Sequence, residues 1–502
     1  MNFSDFISHY KKRLHKLFNV EEDIDKLSLN RGLPQDILEK VMDCKPLSVF
    51  IPEEYGGRGA KTHEALSMLQ ASSYESLPLS LMMGINGALF LQPVVNYGSE
   101  EVKQPIFDRF LHENNMGGLM ITEPDFGSDA LRMETSFRKV ENDSDTCYQV
   151  SGTKHWAGLT GAADFWLITA RRENGSGLGR DIGFFIHDSR RGGIEVEEYY
   201  NNLGLYMLPY GRNKVNITVP EEYKLQPKSI GIKMMLDVLH RSRLQFPGMG
   251  LGFLKRMLDE AVTHCRERYV GGQSLFNYEQ VKKRLNRLQS SFTVCSAMCA
   301  FTSENVPITK DVSNMDLTAN AIKTYTTDLM QQASQSLLQL MGAKGYRLDH
   351  IAGRSLVDSR PFQIFEGSND ILYQQISESV IKQMRKVKLK NLHEFLSEFK
   401  LTERAADYFT EVLDFKIDHQ LGQDRLVELG RILSRVISLE FTLRLDEKGF
   451  NKGLINNAIR ILRDDVERMV STFNYYDNPD VIENYEESSS WLEAMTPEFA
   501  HN

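Results

Sequence analysis

The sequence predicts a mainly α-helical protein with a small antiparallel β domain in its middle and a further helical segment at its end. Three observations predict it. Apolar residues recur at helical spacing over most of the chain. Between about residues 116 and 222 that period gives way to short β-branched and aromatic runs broken by Gly, Asn and Asp. After about residue 228 the helical period returns and holds almost to the end.

The 502 residues exceed what one hydrophobic core organises, so several domains or layers are expected. Hydrophobic residues at 41% and charged residues at 25% are the composition of a globular protein. A formal charge of -9 and a pI near 5.8, with no basic stripe interleaved with aromatics, argue against a nucleic-acid partner. The 5 cysteines are sparse and odd in number, which fits a reducing compartment, and the expected location is cytoplasmic. Cys295 and Cys299 stand one helical turn apart in an apolar stripe without His or carboxylate co-ligands at ligand spacing. Core packing is the expectation there, and no metal site is. The opening Met1 to Phe6 has no apolar secretory signal, and no stretch reads as long and apolar enough to cross a bilayer.

Residues 1–115 read as a helical domain. Phe3, Phe6, Ile7, Tyr10, Leu14, Leu17 and Phe18 mark a first amphipathic helix, expected to pack on the core rather than lie on a membrane. Residues 116–225 read as the β domain, with strands near Tyr148–Val150, Phe165–Thr169, Ile182–Ile186 and Val215–Val219. In residues 226–388, the stripe Phe253, Leu254, Met257, Leu258, Ala261, Val262 and Cys265 and the stripe Val281, Leu285, Leu288, Phe292, Cys295 and Cys299 require partner helices, hence a bundle. Residues 389–502 are charged but still amphipathic. Leu426, Leu429, Leu433, Val436 and Ile437 form one stripe, and Ile455, Ile459, Leu462, Val466, Met469 and Phe473 another. The end from Tyr485 is expected to fray.

Several motifs carry chemistry. Thr122-Glu-Pro-Asp-Phe-Gly-Ser-Asp129 holds a Gly-Ser turn whose N–H groups and hydroxyl suit an anion; alone it would be only a capped turn. Pro52 to Gly59 is a glycine-rich turn, and Tyr97 to Gln104 precedes the β domain. Gly152-Thr-Lys-His-Trp156, Arg266-Glu-Arg-Tyr-Val-Gly-Gly272, Gln339-Leu-Met-Gly-Ala-Lys-Gly345 and Asp358-Ser-Arg-Pro-Phe-Gln-Ile-Phe-Glu366-Gly-Ser-Asn-Asp-Ile371 complete the set. Taken together over residues 1 to about 385, these resemble the acyl-CoA dehydrogenase family. The resemblance leaves the last segment unexplained.

The resemblance implies an α-helical domain, a β-barrel and a four-helix bundle, with FAD as cofactor. It implies α,β-dehydrogenation of an acyl-CoA thioester to the 2-enoyl-CoA. Glu366 falls where most members keep the base that removes the α proton, and the β hydride goes to flavin N5. A minority of members keep the base on an earlier helix; the matching position is Ser242, which cannot serve. Thr122 matches a contact to the flavin pyrimidine, Ser128 a contact to cofactor and substrate, and Trp156 a tryptophan packed on the isoalloxazine. Arg268 matches an arginine on the pyrophosphate of a neighbouring subunit's cofactor. Gln339 and Gly342 belong to a segment that touches FAD across the dimer, with Ala343 in place of a glycine. Ser368 and Asp370 match polar contacts to FAD. Arg243 and Gly367, with Ser128, are assigned to the substrate, the Gly367 N–H helping to polarise the thioester carbonyl. The partners implied are an electron-transfer flavoprotein or similar acceptor and further copies of this chain.

Two departures mark the chain as divergent. Gly158 stands where a hydroxyl usually faces flavin N5, with Thr160 the nearest substitute. Val357-Asp358 stands where an Arg-Asp pair is usual. Three alternatives stay open: an oxidase discharging to oxygen, a dehydrogenase of thioesters on a carrier protein, and a flavin-free helical scaffold. The last segment is expected to cover or extend the dimer, with docking of a partner or membrane as the second reading.

Overall fold

The computed structural model describes residues 1–141, 146–175, 177–418, 420–475 and 480–483. The end from Tyr485 lies outside them. The first helix, α1 (Phe3–Lys16), is capped by the Asn2 side chain, which accepts from Asp5 N at 2.9 Å. Its Phe6, Tyr10 and Leu14 are buried, with Leu17 and Phe18 just beyond, so the amphipathic face packs on the core. Tyr10 Oη meets Ser72 Oγ of α2 (Thr62–Glu75) at 2.9 Å.

α3 (Leu77–Tyr97) corrects one expectation. Its 21 residues contain an 18-residue window with a mean hydropathy of 1.4, long and apolar enough to cross a bilayer by length and composition. Here 89% of that window is buried inside the protein, so its composition serves the core. A widened π-turn, Ile85–Leu91, interrupts it. α4 (Glu100–His112) leads into the β domain.

The β domain contains β1 (Gly117–Met120), β2 (Ser136–Glu141), β3 (Thr146–Gly158), β4 (Phe165–Asn174), β5 (Gly177–Asp188), β6 (Ile194–Tyr199) and β7 (Tyr210–Pro220). It is a curled mixed sheet, a half-barrel, and not the closed antiparallel barrel expected. β1 and β2 both run parallel to β4, through Gly117↔Phe165 and Ser136↔Arg171. The remaining pairings are antiparallel, with β5 on β4 at one side and β3, β7 and β6 in turn at the other. Alternation of side chains is the same in both strand senses, so the sequence pattern carried no information on direction.

The helical remainder is one packed body. α5 (Gly231–Glu267) contacts α2 on one side and α6 (Glu279–Asn305) and α7 (Asp316–Met341) on the other. Glycines allow that sandwich: a Cβ at Gly252 would overlap Gln70 of α2, and one at Gly250 would come within 2.5 Å of Thr326 on α7. α8 (Ile351–Ser359) and α9 (Asn369–Val387) follow. The last segment supplies α10 (Gln423–Glu447), packed on α6, α7 and α9, and α11 (Lys452–Tyr475), packed on α6 and α10. Leu429, Leu433, Val436 and Ile437 of α10 and Ile455, Leu462, Val466 and Phe473 of α11 are buried, so both stripes are spent within the chain. Buried Glu440 accepts from Arg404 Nε and Ala405 N at 3.0 and 3.1 Å and fixes the loop before α10.

Candidate active site

The carboxylate of Glu366 sits in a turn between α8 and α9, wedged by aromatics. Phe362 and Phe365 pack on each other at 5.0 Å between ring centres and on Phe246 of α5 at 5.7 and 6.1 Å. Glu366 has φ of 55° and Gly367 of 91°. Positive φ suits Gly367 but is sparsely populated for a glutamate and costs about 1–3 kcal/mol. The surrounding contacts must hold it there.

Those contacts come from two long helices. From α5, Ser242 Oγ donates to Glu366 Oε1 at 2.7 Å and Arg243 Nε to the Glu366 carbonyl at 2.9 Å. From α7, Lys323 Nζ donates to the Gly367 carbonyl at 2.8 Å and Asn369 Oδ1 at 2.9 Å, while Asn320 Oδ1 accepts from Arg243 Nη1 at 2.8 Å. Glu366 Oε2 is buried with no hydrogen-bond partner. Burial raises the pKa of Glu366, opposed by the Ser242 hydroxyl and by the charges of Arg243 and Lys323. Burial lowers Lys323 to about 7, with Glu366 opposing. Tyr210 of β7 is held neutral by burial and by the same carboxylate.

Tyr210 links this turn to the β domain. Its ring lies 6.1 Å from that of Trp156, and its Cε1 would lie 3.4 Å from a Cβ at Gly158. Trp156 falls at a bulge between His155 and Ala157 in the β3–β7 ladder, has φ of 55° and is 48% exposed. A bulge re-aims a side chain, and here it turns an indole outward that a core position would have buried. A Cβ at Gly158 would meet Ile85 Cδ1 of α3 at 2.9 Å, so the π-turned helix fills the room that a side chain there would need. Thr160 is buried, donates to the Ala157 carbonyl at 2.7 Å and accepts from Asn213 at 3.0 Å, so its hydroxyl is committed within the loop.

The Thr122 carbonyl accepts from His155 N at 2.9 Å, which places Thr122 beside Trp156. The loop beyond it is pinned by Glu123, whose oxygens take Lys154 Nζ at 2.8 Å and the amides of Glu134 and Thr135 at 2.5 and 3.0 Å. Ser128 is exposed on that loop. Ser368 stands at the start of α9, and Asp370 one residue into it is exposed and paired with Arg431 of α10 at 3.0 Å. Asp358 is buried beneath the turn, accepts from Leu205 N at 2.6 Å and is raised to about 6 by burial.

Arg268, Gln339 and Gly342 are not brought to Glu366 in this chain. Arg268 closes the far end of α5, 26 residues beyond Ser242, which is about 35–40 Å along the axis at about 1.5 Å per residue. Gln339 and Gly342 lie at the far end of α7, exposed, and the α5 end meets them through His264, which bonds the Leu340 backbone. Sequence reasoning missed Lys323, Tyr210, Asn369 and the hydroxyl role of Ser242. For Lys323 a signal exists: it is a cation inside Leu317–Thr327, a helical run in which every residue is buried.

Models of three acyl-CoA dehydrogenase domains match in order: the N-terminal domain over residues 17–113, the middle domain over 118–216 and the C-terminal domain over 230–381. The chain belongs to the acyl-CoA dehydrogenase family. Flavin-dependent oxidation is the chemistry of that family, with FAD as its cofactor. It is 23% identical over 357 residues to the very long-chain specific acyl-CoA dehydrogenase, mitochondrial, of Mus musculus, covering 68% of this chain and 54% of that one. The match thus spans about half the length of that relative. To the acyl-CoA dehydrogenase of Bacillus subtilis it is 24% identical over 347 residues, covering 67% of this chain and 87% of that one. A crystal structure of an acyl-CoA dehydrogenase complexed with FAD from Bacillus anthracis superposes with a TM-score of 0.79 at 17% identity. It covers 94% of this chain and 89% of that one, so the fold of the last segment has a counterpart there.

Proposed function

We propose that the protein is an FAD-dependent dehydrogenase that converts a saturated acyl thioester into its 2-enoyl thioester, with Glu366 as the base for the α proton. The observation that carries this reading is the Glu366 carboxylate: buried, held at positive φ, flanked by Arg243 and Lys323, and left with one oxygen unpartnered. A buried acid with an unspent acceptor and a raised pKa has the properties of a general base waiting for a proton. Its neighbours divide the work. Ser242 and the two cations keep a fraction ionised, and the neutral Tyr210 adds no competing charge.

Arg243 has a second part. A peptide unit is planar, so gripping the Glu366 carbonyl also fixes the direction of the Gly367 N–H in the same plane. That N–H is the proposed donor to the thioester oxygen, where negative charge develops as the proton leaves.

The residues present fit the cofactor. The outward Trp156, with Thr122, Gly158, Ser128 and Ser368, is assigned to the nearer portion of the cofactor; Arg268, Gln339 and Gly342 are assigned to the far portion of a second subunit's cofactor. Their distance from Glu366 along α5 and α7 supports that assignment and with it a homo-oligomer of at least two chains. Bound FAD supplies the acceptor for the β hydride. Asp370 keeps its assignment to a polar FAD contact, with its Oδ1 paired to Arg431 and its carboxylate still exposed. The electron acceptor proposed is an electron-transfer flavoprotein, and acyl-CoA is the proposed thioester.

An anaerobic absorbance titration with saturated acyl-CoAs of graded length tests this reading. One length class should bleach the flavin band, and the bleaching should vanish in Glu366→Gln. Bound flavin that only a carrier-linked thioester bleaches would move the substrate to that class. Oxygen consumption with substrate would make the enzyme an oxidase. A protein that cannot take up FAD would overturn the proposal.

A further inference from the structure

The C-terminal extension reaches the Glu366 turn through a buried polar chain that a mere cover would not need. Arg435 of α10 is buried, its guanidinium 4.5 Å over the Tyr325 ring and 3.7 Å from Asp328 Oδ2 on α7. Tyr373 of α9 donates to the same oxygen at 2.6 Å. The other oxygen, Asp328 Oδ1, accepts from Gln363 Nε2 at 2.7 Å and Asn369 Nδ2 at 2.8 Å. Gln363 lies three residues before Glu366 and Asn369 three after, so one carboxylate oxygen clamps both ends of the turn. Asn369 Oδ1 then receives Lys323, which also holds the Gly367 carbonyl.

We propose that Arg435 is a positioning residue for Glu366, acting through Asp328, Gln363, Asn369 and Lys323. The inference rests on Glu366 being the base. Two further contacts put α10 flush against this region. Gly430 lies against the Tyr373 backbone, where any Cβ would overlap it, and Ser377 Oγ donates to the Leu426 carbonyl at 2.6 Å. Replacing a buried ion pair by apolar residues is often neutral or favourable. A cover could therefore seal α9 with leucines, yet this helix brings a guanidinium to the clamp's carboxylate.

The charged and titratable groups facing Glu366 are Arg243 on α5, Lys323 on α7 and Tyr210 on β7. Behind Lys323 stand Asp328 and Arg435. Removing Arg435 leaves Asp328 less compensated, so negative potential at Glu366 grows and the carboxylate holds its proton more tightly.

The test uses the FAD-loaded full chain. Arg435→Met removes the charge at similar volume, and Arg435→Lys keeps the charge without the fork. Arg287→Met is the control: it cuts the ion pair to Asp465 that ties α11 to α6, and Arg287 hydrogen-bonds to none of Asp328, Gln363, Asn369 and Lys323, acting only electrostatically on Tyr325. In Arg435→Met the rate constant of flavin reduction should fall about 10-fold or more, with the substrate dissociation constant within about 2-fold, a loss confined to the chemical step. The infrared carbonyl band assigned by its loss in Glu366→Gln should titrate about 0.5–1 unit higher. Arg435→Lys should fall between. Should Arg435→Met fail to fold, Arg435→Lys against Arg287→Met decides. Arg435 variants matching Arg287→Met in both rate and infrared midpoint would overturn the proposal. A wild type that no acyl thioester reduces would instead overturn the base assignment, while the infrared shift still reports on the coupling.

Discussion

Glu123 and Glu366 are both carboxylates set close to a buried lysine, and the chain treats them in opposite ways. Glu123 spends its oxygens on Lys154 and two backbone amides. Burial raises its pKa, but Lys154 and those donors outweigh it, and the net shift is downward. Glu366 keeps one oxygen unpaired, and there burial wins. Lys154 bonds the Glu123 carboxylate itself, whereas Lys323 is spent on a carbonyl and an amide next to Glu366. The same two residue types build a rivet in one place and, in the other, the base proposed for the α proton. What differs is whether the acceptor is satisfied.

The largest expected effect tests the unsatisfied member. Glu366→Gln should lower the rate of substrate-driven flavin reduction by about 10³–10⁴-fold while the flavin spectrum is kept. Its stability should move the other way. A carboxylate whose folded pKa is raised binds more protons folded than unfolded, so its contribution falls as pH rises from the ordinary value through the raised one. Above that window Glu366→Gln should unfold at a higher temperature than the wild type. A lower melting temperature at pH 8 would erase the contrast.

Lys154→Met tests the satisfied member. It strands the Glu123 charge and should cost about 3–5 kcal/mol in thermal or denaturant unfolding, partly recovered by adding Glu123→Gln. Sign matters here too: Glu123 is lowered, so its contribution is present above the ordinary carboxylate value and is lost on acidification through the lowered one. Ser242→Ala sharpens the comparison by making Glu366 still less satisfied. Loss of its one hydroxyl donor should raise the acidic limb of kcat/KM by about one unit, measured as a pH–rate profile. The smallest effect is expected at Gly158→Ala, where a Cβ meets the mobile end of Ile85: about 1 kcal/mol of stability, relieved by Ile85→Val.

Much of this was legible in the sequence. The helical stripes of α5, α6, α10 and α11 announced buried faces, and the run to Ile371 marked Glu366. The mixed strand order was not legible, because Gly117–Met120 is short and buried throughout and carries no pattern that tells a parallel strand from an antiparallel one. Nor was the apolar α3, whose π-turn and glycine hide its continuous hydropathy from a reading by short periods. At the site, Lys323 and Tyr210 were missed because each lies over 40 residues from Glu366, and only packing makes them neighbours. The Asp370–Arg431 pair was not legible for the same reason, since Arg431 belongs to a segment the motifs do not cover.

α3 has a consequence for how this protein is made. A nascent chain emerges N-terminus first, and Leu77–Tyr97 leaves the ribosome long before the helix that covers it. Gly84 of α3 packs against Met249 of α5, so about 150 more residues must be synthesised first. At about 5–20 residues per second that is roughly 7–30 s. Throughout that interval a segment apolar enough for a bilayer is without its lid, open to chaperones or to the insertion machinery that reads such segments.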